Sequence, residues 1–301
     1  MLRFDPDLNS RSFGLYFISV MAAKKTIQKE ILLSGMGIHS GKNVRLVLKP
    51  AESGEITFLR VDLGRLEARL NPRNLEARNS TTLLGEQFQV RTVEHLMAAL
   101  FAFGINSLSI ELDADEIPIM DGSARPFAQA IKKAGMRRLA LPVRPLKIRK
   151  PLILEEKGAS VSAAPSASGR GVELSYSIEY SHPAIKRQSL SLKLSPQSFV
   201  REIAPARTFG FLKDVERLRS QGLALGGSFE NAVVLDEEKV LNGPLRFPDE
   251  FVRHKLLDLA GDLGLLGRPL IGRFEAHKAG HRLHVKLVRF LLDHPEYWTA
   301  A

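Results

Sequence analysis

Short apolar runs broken by glycine, proline and asparagine dominate the chain from Thr26 onwards, and they limit the folds open to it. Such runs are typical of strands in an antiparallel sheet. In the first half they include IQKEILLSG, VRLVLKPA and ITFLRVDL, and a further one covers 108–112. The pattern therefore predicts sheets with a few helices between them.

Longer segments with a different pattern are predicted to be helices. The segment TVEHLMAALFAF, residues 92–103, is apolar on almost every side, which is typical of a buried helix, and Gly104 ends it. Further helices are predicted at 126–134, from Phe211 onwards, at 250–263 and at the end of the chain. Both halves combine strands and helices in this way, which predicts an α+β fold.

The length of 301 residues favours two domains. We expect α+β domain I at 24–138 and α+β domain II at 146–301. The stretch 137–145 is basic and marked by prolines, which is typical of a linker, and we place the linker between the domains at 139–145. The segment 158–171 is rich in serine, alanine and glycine, which predicts a mobile hairpin loop.

Residues 1–23 are expected to be an N-terminal extension outside the fold. The stretch FGLYFISVMAA has the apolar character of a weak signal peptide, but Asp5 and Asp7 precede it, and Met21 offers an alternative start. The sequence has no apolar run of the roughly 18 residues that a membrane-spanning helix needs.

The net charge and the absence of cysteine limit the partners and the metal ligands that are available to this chain. The net charge of +10 favours an anionic partner, whether a phosphate, a nucleotide, a nucleic acid or an acidic membrane face. The absence of cysteine rules out disulfides, a thiolate zinc site and a cysteine nucleophile. Any transition metal must therefore be held by histidine and carboxylate.

The glycine-rich stretch GMGIHSGK, residues 35–42, follows a predicted strand and has the look of a phosphate-binding loop. Its spacing does not fit the dinucleotide fingerprint, which needs the third glycine one residue earlier. It does not fit the Walker pattern either, because Asn43 stands where that pattern needs Ser or Thr. We interpret it as a turn between strands. The chain also lacks the Gly-x-Ser-x-Gly elbow of serine hydrolases.

Three sparse clusters combine histidine with carboxylates or lysine. Glu94 and His95 lie in the apolar helix, where a carboxylate needs a partner, so they form either a core pair or a site. On the helix 250–263, residues His254, Asp258 and Asp262 share one face, because steps of four advance the direction by only about 40°. That face is either a solvated charged stripe or a metal-chelating surface.

The third cluster, HKAGH at 277–281, lies in a turn between a strand and the last helix, where histidines are often simply exposed. Together the three clusters fit a catalytic zinc site, in which three protein ligands leave a fourth position for water. Two histidines and one aspartate would supply those ligands.

Six segments resemble those of the UDP-3-O-acyl-N-acetylglucosamine deacetylases, a family of zinc amidases of lipid A biosynthesis. The resemblance runs from about residue 24 to 292. In order, the segments are TVEHLMAALFAFGI, PIMDGSARPF, ARTFGF, GLALGGSFENAVV, FVRHKLLDLAGDLGLLG and HKAGHRL.

The resemblance implies which residues perform the chemistry. It makes His95, His254 and Asp258 the ligands of Zn²⁺, for which Fe²⁺ could substitute in the cell. Glu94 would be the general base and His281 the cationic general acid. This agrees with what amide hydrolysis needs, namely a metal to activate water, a base and an acid.

Other roles implied by the resemblance surround this centre. Asp262 would orient His281 and stabilise its charge, and Thr208 would hydrogen-bond the developing oxyanion. Lys255 would lie near the sugar and phosphates, and Lys278 would face the diphosphate.

The remaining implied contacts are with the two ends of the substrate. Glu179 and Tyr180 would pack on the uridine. Phe209 and Gly227 would belong to a βαβ insert around 207–235 that encloses the acyl chain in a tunnel.

The resemblance also implies two β-α-α-β layered domains with helices sandwiched between sheets. It further implies a cytoplasmic monomer that acts on a UDP-linked acylated amino sugar, with at most a peripheral membrane contact. A nucleic-acid-binding protein is the main alternative suggested by charge, but aromatic residues make up only 7% of the chain and the clusters are acidic–histidine rather than basic–aromatic. An ATP- or GTP-using enzyme is disfavoured by the phosphate-loop spacing.

Overall fold

The computed structural model describes residues 22–301 and shows a mixed α/β protein, as expected. The predicted extension and its signal-like stretch lie outside the described residues, apart from Ala22 and Ala23, which begin the first strand. The helices are α1 Glu94–Phe103, α2 Arg125–Ala134, α3 Pro196–Ser198, α4 Leu212–Ser220, α5 Glu250–Gly264 and α6 His281–Asp293.

Nineteen strands accompany these helices in the described part of the chain. In the first half they are β1 Ala22–Ile27, β2 Ile31–Met36, β3 Asn43–Pro50, β4 Ile56–Arg60, β5 Leu66–Arg69, β6 Leu75–Ala77, β7 Thr81–Leu84, β8 Gln89–Val90, β9 Leu108–Leu112 and β10 Met136–Val143. In the second half they are β11 Leu146–Ile148, β12 Leu152–Glu156, β13 Ala159–Ala164, β14 Val172–Glu179, β15 Arg187–Leu194, β16 Phe209–Phe211, β17 Val233–Leu235, β18 Leu270–His277 and β19 Trp298–Ala300.

Two larger sheets organise the two halves. The first has five strands in the order β2-β3-β9-β4-β5, with β4 and β9 parallel and the other neighbours antiparallel. The second has seven strands, and β18 lies at its centre beside β11, β13 and β14. Because β14 and β18 run parallel, the chain leaves both strands at the same edge of this sheet.

Helices α1 and α5 pack against each other, and α5 also packs on β14 and β15. Their backbones approach closely at Gly261, where a Cβ atom would lie 2.1 Å from the carbonyl oxygen of Glu94. Glycine is therefore needed at this crossing. The close approach sets the N-terminal turn of α1 beside the polar face of α5.

One expectation about a loop was wrong. Residues 159–164 of the predicted mobile hairpin form strand β13, in which Val161 and Ala163 are buried at alternate positions. Its small residues obscure the strand pattern in the sequence. The predicted linker 139–145 lies mostly in β10, which pairs with β1 and buries Leu139 and Val143.

Candidate active site

A cavity of 720 Å³ is lined by residues from both halves of the chain, and we call it the active-site cavity. Apolar side chains of β16, α4 and β17 form much of its wall. Most of the residues singled out in the sequence also line it, namely Glu94, His95, Tyr180, Thr208, Phe209, Gly227, His254, Lys255, Asp258 and His281.

His95, His254 and Asp258 form a buried group in the lining of this cavity. Their candidate ligand atoms all lie within 4.8 Å of one another. Asp258 Oδ1 is 3.3 Å from His254 Nε2 and 3.8 Å from His95 Nε2. Because these side chains are buried, the polar face of α5 is not a solvated stripe.

The protonation states of this group suit a metal ion. Burial, with the neighbouring His254, lowers the pKa of His95 to about 3, so its ring is neutral. Burial raises the pKa of Asp258, but the positive charges of Lys255 and His281 hold it well below its usual range. Burial lowers the pKa of His254 as well, so that ring is also neutral. Two neutral imidazoles and one carboxylate are the forms in which these side chains bind metals.

Two details of hydrogen bonding support the same interpretation. His254 Nδ1 lies 3.1 Å from the carbonyl oxygen of Ala206, and a proton donated there leaves the Nε2 lone pair directed at the group. His95 Nδ1 and Asp258 Oδ1 are buried without a hydrogen-bond partner among residues 22–301. Unpaired buried polar atoms are costly, so an ion bound by Asp258 Oδ1 would satisfy one of them.

Glu94 lies next to this group at the start of α1. Its Oε2 accepts a hydrogen bond from the backbone N–H of Thr81 at 3.0 Å, and its Oε1 lies 3.7 Å from His281 Nε2. Burial raises the pKa of Glu94 to about 7, although the charge of His281 opposes the rise. A carboxylate with this pKa can exchange a proton near neutral pH.

His281 begins α6 and also lines the cavity. Its Nδ1 lies 2.8 Å from Asp262 Oδ2, and Asp262 Oδ1 accepts a hydrogen bond from Thr81 Oγ1 at 2.6 Å. Burial alone lowers the pKa of His281, but Asp262, Glu94 and Asp258 outweigh it and raise the pKa to about 10. The imidazole is therefore charged at neutral pH and can donate a proton.

The other predicted residues divide into two sets. Lys255 donates to Asp258 Oδ2 at 3.0 Å and lies over the ring of Phe209, and Thr208 is anchored by its backbone N–H to Gly122. Glu179 and Lys278 form an ion pair with each other at the shared edge of β14 and β18 and do not line the cavity.

Sequence reasoning missed His39, which also lines the cavity. It lies in the glycine-rich turn between β2 and β3, and the backbone N–H groups of His39 and Ser40 donate to the carboxylate of Glu116 at 2.9 and 2.8 Å. The segment is a turn between strands, as interpreted. The same turn contacts the insert through the N–H of Gly226, which bonds the carbonyl of Ile38.

Comparison with known protein families gives a match over nearly all of the described residues. The family model for LpxC, UDP-3-O-acyl N-acetylglycosamine deacetylase, matches residues 24–293. The chain belongs to this family. It is a family of metalloenzymes, and the buried group His95, His254 and Asp258 provides this chain with a candidate metal site.

Curated proteins that align with this chain over most of their length share one name. The UDP-3-O-acyl-N-acetylglucosamine deacetylase of Thermodesulfovibrio yellowstonii is 47% identical, covering 91% of this chain and 93% of the relative. That of Myxococcus xanthus is 48% identical, covering 90% and 87%. That of Chromobacterium violaceum is 42% identical, covering 93% and 94%.

Proposed function

We propose that this chain hydrolyses the N-acetyl group of UDP-3-O-acyl-N-acetylglucosamine to give acetate and UDP-3-O-acyl-glucosamine, the committed step of lipid A biosynthesis. Family membership supports the substrate. The observation that carries the chemistry is the arrangement of Glu94 and His281, 3.7 Å apart, beside a buried His–His–Asp group.

His95, His254 and Asp258 hold the metal in this proposal, which we assign as Zn²⁺, with Fe²⁺ as an alternative in the cell. Histidine and carboxylate ligands suit both ions. Such an ion supplies a Lewis acid that polarises the amide carbonyl and lowers the pKa of a coordinated water toward about 7.

The residues of the chain move the protons. Glu94 accepts a proton from the attacking water as the water oxygen bonds to the acetyl carbon. His281 then donates its proton from Nε2 to the amide nitrogen as the carbon–nitrogen bond breaks, so that a neutral amine and acetic acid leave. The acid then loses its proton to solvent and becomes acetate, while Glu94 releases and His281 regains a proton. The hydroxyl of Thr208 donates a hydrogen bond to the developing oxyanion and keeps its proton, and Asp262 keeps His281 charged and oriented.

Binding of the substrate extends away from this centre in two directions. Lys255 lies near the sugar and phosphates, Lys278 faces the diphosphate, and Glu179 with Tyr180 packs on the uridine. In the other direction the acyl chain lies along Phe209 and Gly227. The apolar wall of the active-site cavity supports this path, because Phe211, Leu212 and Val215 also contribute to it.

The pKa shifts predict a bell-shaped pH dependence of kcat/KM. Glu94 acts only when ionised, so activity rises through its pKa of about 7. His281 acts only when charged, so activity falls through its pKa of about 10. Asp262→Asn removes the carboxylate that raises the His281 pKa most, so the basic limb should move to lower pH. If the basic limb stays at the same pH in this variant, Asp262 does not set the pKa of His281.

The apolar wall predicts a strong dependence on the 3-O-acyl chain. A buried methylene contributes about 0.8 kcal/mol, so four of them amount to more than about a hundredfold in kcat/KM. Ala224 lines the cavity, and Ala224→Phe should reduce kcat/KM for long chains more than for short ones. Ala224→Gly is the matched control and should keep the preference. Equal kcat/KM for substrates with and without the 3-O-acyl chain would exclude the acyl path.

We also propose the finer architecture implied by the resemblance, namely two β-α-α-β layered domains, at 24–138 and 146–301, with helices sandwiched between sheets. The packing of α1 on α5, and of α5 on β14 and β15, supports helices lying between the two large sheets. One chain supplies the whole site, which supports a monomer, and we place its activity in the cytoplasm.

Contact with the membrane surface is a separate proposal. No helix within residues 22–301 is long and apolar enough to cross a membrane. The exposed side chains of Leu212 and Phe229 line the active-site cavity and support a peripheral contact near the entrance of the acyl chain.

The proposed activity is tested by incubating the purified full chain with zinc and the acylated UDP-sugar, and measuring acetate and the free amine together. We expect the two products in equal amounts. Cleavage at the diphosphate or at the ester, without acetate release from the amide, would assign a different reaction to the site.

A further inference from the structure

His284 is a fully buried histidine on α6, one turn after His281, and the reaction described above leaves it without a role. Its Nδ1 lies 2.8 Å from Asp262 Oδ2, the same oxygen that His281 Nδ1 contacts at 2.8 Å. Two imidazoles of one helix therefore meet a single carboxylate oxygen of α5.

The chemistry of the two partners decides which of them donates in the hydrogen bond between His284 Nδ1 and Asp262 Oδ2. Burial raises the pKa of Asp262, but His281 and the hydrogen bonds from both histidines lower it below its usual range, so the carboxylate is ionised and can only accept. Nδ1 of His284 therefore carries the proton. Burial lowers the pKa of His284, which leaves the ring neutral with Nε2 unprotonated.

The other side of the ring faces β14. His284 Nε2 lies 3.3 Å from the hydroxyl of Tyr176, whose single proton is donated to the carbonyl oxygen of Ala279 at 2.6 Å. The Tyr176 ring also meets His284 edge-on at a centroid distance of 5.8 Å. Tyr176 thus contacts both His284 and the loop that leads into His281.

We propose that His284 is a positioning residue, which fixes the carboxylate of Asp262 so that His281 directs its Nε2 toward the reacting amide. The proposal rests on the function proposed above. Asp262 then has three donors: Thr81 holds Oδ1, while His281 and His284 share Oδ2. With both oxygens bound, the carboxylate has no freedom to rotate away from His281.

The test compares two substitutions of His284. His284→Leu removes the donor but retains bulk, and His284→Asn retains an N–H donor near the position of Nδ1. We expect His284→Leu to lower kcat by roughly ten- to a hundredfold, the usual effect of losing a supporting hydrogen bond, with KM and metal content little changed. His284→Asn should retain kcat within a few-fold. His294→Asn, at the other end of α6, is the control.

The outcomes separate positioning from packing. A loss in His284→Leu that His284→Asn restores supports the proposal, and equal losses in both would assign His284 to packing alone. Normal kcat in His284→Leu would also overturn it.

A second measurement does not depend on either variant folding. Spectra of the ¹⁵N-histidine-labelled protein should show His284 as the neutral tautomer protonated on Nδ1, and the Nε2-protonated tautomer would overturn the proposal. If the unsubstituted protein releases no acetate, the proposed function fails, whereas this tautomer still tests the hydrogen bond to Asp262.

Discussion

Asp258→Ala is expected to lose most of its bound metal and nearly all of its turnover. Asp258 is the charged member of the candidate metal group, and its Oδ1 lies within 3.8 Å of the Nε2 atoms of both His95 and His254. Its removal leaves two neutral imidazoles, which provide neither the third ligand nor the negative charge. The loss of turnover should exceed the roughly 10–100-fold effect of removing a supporting residue.

Metal content by elemental analysis and acetate release, measured on the same preparation, check this prediction. His95→Ala and His254→Ala should behave alike, since each supplies one of three protein ligands. His294→Ala is the matched control, because this histidine lies at the end of α6 beside Phe290. Full metal occupancy in Asp258→Ala would contradict the assignment of the ligands.

Glu94→Gln is expected to keep the metal and to lose about 10²- to 10⁴-fold in kcat, the range for loss of a general base. Glutamine fills the same space, and its carbonyl oxygen can still accept from the backbone N–H of Thr81. It has no basic oxygen with which to accept a proton from water. KM should change little, because the lost interaction forms only as water attacks.

His281→Ala provides the complementary comparison. His281 is not a metal ligand in this account, so the variant should retain the metal and lose kcat with a smaller effect on substrate affinity. Loss of metal in His281→Ala, or near-normal turnover in Glu94→Gln, would mean that the roles of base, acid and ligand are wrongly distributed.

The elements with the strongest patterns were predictable from the sequence. Helices α1 and α5 begin and end within two residues of the expected bounds. In α1 a long apolar segment ends at a glycine, and in α5 polar residues spaced by four stand among leucines, and both patterns are typical of helices. Strand β13 was missed because serine and alanine are only weakly apolar, and its pairing with β12 and β18 supplies what the sequence pattern lacks.

The residues of the candidate site also differ in whether the sequence indicated them. The spacing of four between His254, Asp258 and Asp262 indicated a shared helix face, and this face is indeed directed at Glu94 and His95. Thr81 had no such signal, since it lies 181 positions before Asp262, to which its hydroxyl donates. Such partners are fixed by the packing of distant elements rather than by local spacing.

His284 falls between these cases. It follows His281 by three residues, a spacing that places two side chains on one side of a helix. The sequence alone gave no reason to connect it with Asp262, because that contact depends on how α6 packs against α5.

The central claim is that one metal ion, held by the His–His–Asp group, is required for release of acetate. The most direct measurement is to strip the purified protein with a chelator, titrate it with zinc, and record bound metal and acetate release from the acylated UDP-sugar at each step. We predict that turnover is lost on stripping and rises in proportion to bound zinc up to one ion per chain. Full turnover in the stripped protein, or tightly bound zinc that restores none of it, would contradict the account.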